Sequence, residues 1–217
     1  MAAKSQSKKN RQRFPEYQEI VSTLEATKRR SPYEFEFAQS LFETLVDPEV
    51  HYRENPLPAE IIRTNAAFTE WFLFDCGVFD GNTLFELMAE DDPTLAECAR
   101  TQFYARFWVV AQDPERGRVV LRDLETCRDY PVRSPHIAEN QRWARGTLGT
   151  RIARVRGVWR EVGQIALHDN AEPEPLPAHK GGRRRIQRDP AAFIINVEQV
   201  LGSHGVFLDT LEPPEVA

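Results

Sequence analysis

The sequence lacks any long apolar stretch. No run of about 18 apolar residues occurs, so no segment is predicted to cross a membrane. Residues 1–13 are basic, but they are not followed by the apolar region that a secretory signal requires. We therefore expect a cytoplasmic protein that neither spans a membrane nor follows the usual export route.

The sequence is also poor in cysteine. Cys76, Cys98 and Cys127 are widely spaced, form no CxxC pair and share no zinc-ligand spacing with a histidine. An odd number of distant cysteines does not suit a disulfide framework. Free, partly buried thiols are expected, and the sequence predicts no metal site and no cofactor.

Motifs with a specific catalytic meaning are missing as well. The chain contains no GxxxxGK[ST] phosphate loop, no GxGxxG after a strand, no HExxH and no GxSxG. The five histidines are far apart and fall mostly in predicted loops, where a lone histidine is usually solvated. No catalytic residue is predicted, and a protein without enzymatic activity is favoured.

What the sequence does contain is a strong segregation of charge. The net charge of −5 hides +5 in residues 1–13, −12 in 14–102, +6 in 103–160 and −4 in 161–217. A basic segment of this kind can face nucleic acid or another polyanion. Alternatively, its arginines pair with the acidic segment of the same chain, and the sequence leaves both interpretations open.

Apolar periodicity predicts helices throughout residues 14–102. Two helices precede position 47, a long apolar-rich helix covers 59–74, and short helices follow Thr83 and Pro93. Thr83 and Glu86 have the spacing of a capping box. Trp71, Phe72 and Phe74 are predicted core residues that pack the long helix against the sheet.

The periodicity changes to that of strands after residue 102. Five aromatic and β-branched segments are predicted as strands, at 103–110, 118–124, 127–132, 149–155 and 159–167. Their spacing predicts a small antiparallel, barrel-like sheet. The fold class is thus α+β: an N-terminal helical region, a five-stranded barrel-like sheet and a C-terminal helix.

Domain boundaries follow from these patterns. We expect a disordered basic tail at 1–13, an acidic helical region at 14–102 and a basic β domain at 103–168. A Pro-, Glu- and Arg-rich linker at 169–188, an amphipathic helix at 189–202 and a flexible tail at 203–217 complete the chain.

Arginines interleaved with aromatic residues make nucleic acid the favoured partner. Arginine contacts phosphate and exposed rings stack bases, although strand alternation will turn many of these rings into the core. The candidate binding residues lie in the β domain and in a second basic run: Arg106, Arg122, Arg128, Arg151, Arg154, Arg156, Arg160, Arg183, Arg184 and Arg185.

Carboxylates carry the alternative hypothesis. Asp75, Asp80 and Glu86 cluster after the long helix, where they suit either an acid–base or cation site or the capping of turns. Asp75, Asp80 and Asp123 are candidates for a cleft between the helices and the β domain. Asp75 and Asp123 are equally candidates for polar anchors of the packing between the long helix and the sheet.

A set of short motifs resembles uncharacterised bacterial proteins, some of which carry a C-terminal SEC-C zinc motif. The segment 68–75 (FTEWFLFD) is followed by Gly81-Asn82-Thr83, by 121–126 (LRDLET), by Gly149 and by Ala153-Arg154, in that order. The resemblance covers about residues 60–167. It implies a shared helix-plus-β fold without an assigned activity, and because the SEC-C cysteines are absent here, no zinc role is implied.

Three functions remain open at this stage. The favoured one is a non-enzymatic binding or adaptor protein whose basic β domain binds nucleic acid or, nearly as well supported, another protein. The second is an enzyme or small-molecule binder that uses the carboxylate-containing cleft. The third is an oligomeric structural protein in which the 189–202 helix docks on a neighbouring subunit. The sequence does not predict an oligomeric state.

Overall fold

The computed structural model describes residues 17–46, 58–174 and 191–197. The predicted tails lie outside these ranges, as do most of the predicted linker and the candidates Arg183, Arg184 and Arg185. Within the described ranges, no helix is both long enough and apolar enough to cross a bilayer.

Three helices begin the described chain: α1 (Tyr17–Arg30), α2 (Pro32–Leu45) and α3 (Pro58–Phe74). Three cations lie in the last turn of α1, where they complement the helix dipole, and Pro32 starts α2. Edge-to-face ring contacts join α2 to α3, with the ring centroid of Phe35 lying 5.5 Å from that of Phe68 and 5.3 Å from that of Phe72. The burial of Trp71, Phe72 and Phe74 confirms that they are core residues.

Two short helices, α4 (Leu84–Ala89) and α5 (Pro93–Thr101), connect α3 to the sheet. The predicted capping box is confirmed, because the Thr83 N–H donates to Glu86 and the Glu86 N–H donates back to the Thr83 hydroxyl. Asp92 caps α5 by accepting from the backbone of Thr94 and Leu95.

Five strands pair into a ring in the order β1-β2-β3-β5-β4. Their bounds differ from the predicted ones by at most three residues, with β1, β4 and β5 longer and β2 and β3 shorter than predicted: β1 (Phe103–Asp113), β2 (Arg118–Asp123), β3 (Asp129–Arg133), β4 (Thr147–Val155) and β5 (Val158–Asp169). The β1–β2, β2–β3, β1–β4 and β4–β5 pairings are antiparallel. A short parallel pairing of β3 with β5, at Val132–Trp159 and Arg133–Arg160, brings the ends of the sheet together.

The connection from β3 to β4 contains a helix where the sequence predicts none. It is α6 (Pro135–Glu139), followed by a 3-10 turn at Gln141–Trp143. Ser134 caps α6 by accepting from the Ile137 N–H, and Pro135 occupies its first turn. Ile137 packs into the interior of the ring, so α6 covers one end of it.

The molecule has two clusters of buried apolar residues. One fills the ring and includes Phe107, Leu121 and Ile152. The other joins the helices to the outer surface of the sheet through Tyr104, Ala153 and Ala166. Helix α7 (Ala192–Ile195) adds Phe193 to this second cluster, and residues 189–190 and 198–202 of the predicted C-terminal helix lie outside the described residues. These elements confirm the predicted α+β class.

Candidate functional site

A buried arginine joins the sheet to the helices. Arg151 of β4 points out of the ring toward α3, with only 1% of its side chain exposed. Its Nε donates to Glu70 Oε1 at 3.0 Å and its Nη1 to Asp75 Oδ1 at 3.0 Å. Nη2 also donates to the Asp75 carboxylate, and Nη1 donates to the Gln102 side-chain oxygen. Fork-to-fork pairing of this kind is among the strongest ion-pair geometries.

The neighbouring backbone and rings hold this cluster in place. The second carboxylate oxygen of Glu70 accepts from the Gln164 N–H at 2.6 Å. Gly163 makes room for the Glu70 carboxylate, since a Cβ at position 163 would lie 2.3 Å from Glu70 Oε1. The rings of Phe74 and Phe193 cover the guanidinium, with their centroids 5.0 and 5.3 Å from Cζ.

The cluster contains two carboxylates for one guanidinium. Burial raises the pKa of both Glu70 and Asp75, and the Arg151 charge opposes the shift without cancelling it. Burial also disfavours the charged form of Arg151, but Asp75 and Glu70 outweigh it and raise the Arg151 pKa. The cluster therefore keeps its guanidinium charged and carries an excess of carboxylate.

The charge pattern left two interpretations open for the basic segment: binding of a polyanion, or pairing with the acidic segment of the same chain. Arg151 follows the second, because its guanidinium pairs with Glu70 and Asp75 of the acidic segment. Arg151 was a candidate for nucleic-acid binding, but its burial removes it from any surface that a polyanion can reach. Asp75 acts as a polar anchor of helix-to-sheet packing, in keeping with the prediction made for it.

A cleft of about 350 Å³ opens beside this cluster, between the helices and the start of β1. Asp75 reaches it with 11% of its side chain exposed. The lining residues come from five parts of the chain. They are Phe74 and Asp75; Gly81, Thr83 and Glu86; Gln102, Phe103 and Tyr104; Arg151; and Ala192 and Phe193.

The three predicted cleft aspartates are not brought together. Asp80 is exposed in the turn before α4, where it has a positive φ of 52°, and neighbouring Gly81 is the residue that lines the cleft. Asp123 is fully buried at the end of β2, where it accepts from the N–H groups of Glu125 and Thr126. Asp123 lines a separate depression of about 280 Å³ with Arg106 and Asn196.

A second region carries arginines on the surface of the sheet. Burial alternates along β2 and β3, so that Arg118 and Arg133 face outward and are exposed. Their Cα atoms are partners in the β2–β3 register. Arg106 of β1 is exposed too, but it lines a depression with Ala192 and Asn196 from the α7 segment. We call Arg118 and Arg133 the open face.

Half-buried Arg122 lies on the same side of the sheet. Its Nε donates to Asp129 at 2.6 Å, and its guanidinium covers the Trp108 ring at 5.3 Å. These contacts fix Arg122 on the sheet itself, and the Asp129 hydrogen bond contributes most to its raised pKa.

The remaining predicted arginines of the β domain gather near the β4–β5 turn. Arg154 is exposed and lies 5.2 Å from the Trp159 ring centroid, and exposed Arg156 forms the turn with Gly157. Arg160 is half-buried in β5. The parallel β3–β5 register places half-buried Arg128, which precedes β3, toward this turn.

The predicted aromatic residues are buried or half-buried. Tyr104, Trp108 and Tyr130 are buried, and the Trp108 indole N–H donates to the Arg145 carbonyl. Phe103, Trp143 and Trp159 are half-buried. The open face is thus rich in arginine and poor in accessible rings.

The buried thiols are set up to stay protonated. Burial raises the pKa of Cys76 to about 11 and that of Cys98 to about 12, far from the range of reactive thiolates. All three cysteines are free. Within the described ranges, no group of three His, Cys, Asp or Glu side chains is placed to hold a metal ion.

Sequence reasoning did not single out Glu70, Gln102 or Phe193 as members of a site. The available signal was Glu70 itself, a lone charge inside the apolar run 68–74, because a buried carboxylate needs a cationic partner. Gln102 and Phe193 carry no such signal, since only the tertiary fold brings them to Arg151.

Comparison of the chain with models of known families, with curated proteins and with solved structures gives no match. The resemblance to SEC-C-associated bacterial proteins therefore stays a prediction, and the residues and their geometry carry the functional argument.

Proposed function

We propose that this protein binds single-stranded nucleic acid through the open face and through the β1–β2 and β4–β5 turns. The observation that carries the proposal is the exposure of Arg118 and Arg133 on β2 and β3, two strands that contribute no residue to the apolar cluster between the helices and the sheet. Those helices instead pack against the outer surface of β1, β4 and β5, through residues such as Tyr104 and Ala153.

The architecture supports this position for the ligand. Five-stranded, partly open barrels of the OB-fold class bind oligonucleotides on their second and third strands and on the loops after the first and fourth strands. Here those strands carry Arg118 and Arg133. The corresponding turns carry exposed Arg116 and Arg156.

The chemistry of this surface favours phosphate over base recognition. Arginine contacts to phosphate give affinity that falls steeply with salt and depends little on sequence. Because Trp108 is covered by Arg122 and Tyr130 is buried, stacking on these rings contributes little. Binding is expected to tolerate changes of base and to respond strongly to ionic strength.

The test is fluorescence anisotropy with labelled single-stranded DNA and RNA of about 12 nucleotides, within the site size of one small barrel, and with the corresponding duplexes. The full-length protein is compared with Arg118→Ala/Arg133→Ala at several salt concentrations. The double variant is expected to bind about tenfold more weakly at physiological salt, and its salt slope should be about one to two units shallower.

Two controls separate the open face from general positive charge. Arg63→Ala/Arg100→Ala removes the same charge from exposed sites on α3 and α5 and should leave binding nearly unchanged. A variant without residues 1–13 and with Arg183, Arg184 and Arg185 changed to alanine tests the basic segments outside the described residues. Binding that disappears with these segments, or survives Arg118→Ala/Arg133→Ala unaltered, contradicts the proposal.

A further inference from the structure

The cleft beside Arg151 has the size and composition of a small-molecule site. Its volume of about 350 Å³ lies within the usual range of ligand pockets, about 300–1,000 Å³. Its walls combine the rings of Phe74, Phe103, Tyr104 and Phe193 with a few polar groups that lie just after α3, at the start of α4, just before β1 and in β4.

The charges around the cleft do not balance. Arg151 is the cation of the lining, and Asp75 and Glu86 are its carboxylates. Glu70 lies behind Asp75 and shares the same guanidinium. Two buried or half-buried carboxylates therefore share one guanidinium, and such an excess of negative charge is costly unless a cation compensates it. Glu86 adds an exposed carboxylate to the same cleft.

Asp75 and Glu86 are the two carboxylates that a ligand can reach. Glu70 does not line the cleft, and only 4% of its side chain is exposed. Asp75 is partly exposed to the cleft. On the wall formed by α4, Glu86 is exposed, and the capping box holds its Oε2 at 2.8 Å from the Thr83 nitrogen.

The rings of the cleft add a preference for an organic cation over a bare ion. Aromatic faces attract ammonium and guanidinium groups and also bury an apolar body. Phe74 and Phe193 already use their faces on the Arg151 guanidinium, which shows how this site accommodates a planar cation. Half-buried Phe103 and the ring of Tyr104 line the remaining space.

We infer that this cleft binds a small organic cation, with its ammonium, amidinium or guanidinium group at the Asp75 and Glu86 carboxylates and its apolar part against Phe103 and Tyr104. This site is separate from the open face. It does not depend on nucleic-acid binding.

The test uses benzamidine as the probe and benzamide as a control of nearly the same shape without the charge. Binding to the full-length protein is followed by isothermal titration and by chemical-shift mapping. Benzamidine is expected to bind at least about tenfold more tightly than benzamide, and its shifts should centre on the cleft residues, because only the charged group pairs with the carboxylates.

Glu86→Gln is the decisive variant, since glutamine retains the capping-box hydrogen bond to Thr83 while removing the charge. Benzamidine affinity should fall at least about fivefold in Glu86→Gln and stay unchanged in Glu90→Gln, which removes an exposed charge at the other end of α4. Arg118→Ala/Arg133→Ala should also leave it unchanged. Equal affinity for both probes, absence of binding at millimolar benzamidine, or an unaffected Glu86→Gln overturns the inference.

Discussion

Two arginine environments lie on opposite sides of the same small sheet. Arg151 points from β4 into the helices, where Glu70 and Asp75 bind it and where 1% of its side chain is exposed. Arg118 and Arg133 lie on β2 and β3, which contribute no residue to the apolar cluster between the helices and the sheet, and both are exposed. The residue type is the same, and what differs is whether a helix covers that side.

This difference separates structural charge from charge that is accessible to a partner. A buried guanidinium is tolerated because paired carboxylates and hydrogen bonds replace its hydration, so removing it leaves the carboxylates uncompensated. An exposed guanidinium is stabilised mainly by water and contributes little to folding. Substitution of Arg151 should therefore lower the free energy of unfolding strongly, whereas substitution of the open-face arginines should mainly weaken nucleic-acid binding.

The largest expected effect is on stability, from Arg151→Met. Methionine fills part of the volume but leaves Glu70 and Asp75 buried without a cation, which is expected to lower the free energy of unfolding by about 3–5 kcal/mol. The measurement is equilibrium unfolding in urea. Arg154→Met, three residues along the same strand but exposed, is the matched control and should cost less than about 1 kcal/mol.

The pH dependence of Arg151→Met follows from the carboxylates. Burial already raises the pKa of Glu70 and Asp75, and loss of the guanidinium removes the charge that opposed the shift. A carboxyl whose pKa is higher in the folded state binds protons more tightly there, so its favourable contribution is present at low pH and is lost as pH rises. The loss of unfolding free energy in Arg151→Met, relative to the unsubstituted protein, should thus be smaller at pH 5 than at pH 8. An equal deficit at both pH values would contradict the assignment of an uncompensated carboxylate pair.

Much of this architecture can be predicted from the sequence, because the signals are local. The capping box at Thr83 and Glu86, the core positions 71, 72 and 74, and the change of period near residue 103 each depend on a few neighbouring residues. Helix α6 also had a local signal, Ser134 followed by Pro135, which the polar character of 134–143 outweighed.

The site itself depends on contacts between residues far apart in the chain. Arg151 lies 81 residues from Glu70, and strand alternation alone does not tell which face of the sheet a helix will cover. For that reason Arg151 and Arg154 were placed in one group of arginines, although the structure buries the first and exposes the second.

A smaller effect is expected at Gly149, where the helix-covered side is packed most tightly. A Cβ there would lie 2.1 Å from the Tyr104 hydroxyl and 3.0 Å from His168 Nε2, so Gly149→Ala is expected to cost about 1–3 kcal/mol. Tyr104→Phe removes that hydroxyl, which is buried and has no hydrogen-bond partner among the described residues.

The two substitutions form a double-mutant cycle by urea unfolding. Gly149→Ala should cost at least about 1 kcal/mol less in the Tyr104→Phe background than alone, which is the size of coupling expected for residues in contact. Part of the cost should remain, because the Tyr104 Cζ atom would still lie 3.0 Å from the new Cβ. Additive effects of the two substitutions would show that the hydroxyl is not what Gly149 accommodates.

The smallest stability effect is expected at Arg133, and it sharpens the comparison from the other side. Arg133 stands opposite Arg118 in the antiparallel register, and like charges in directly opposed positions destabilise a sheet by roughly 0.2–1 kcal/mol. Arg133→Ala should thus leave the free energy of unfolding unchanged or raise it by a few tenths of a kcal/mol at low salt. The gain should vanish at high salt, where the repulsion is screened. Urea unfolding at low and high ionic strength measures this, with Arg100→Ala as the exposed control on α5. A loss above about 1 kcal/mol in Arg133→Ala would mean that the open face, like Arg151, serves the fold, and the distinction between the two sides of the sheet would fail.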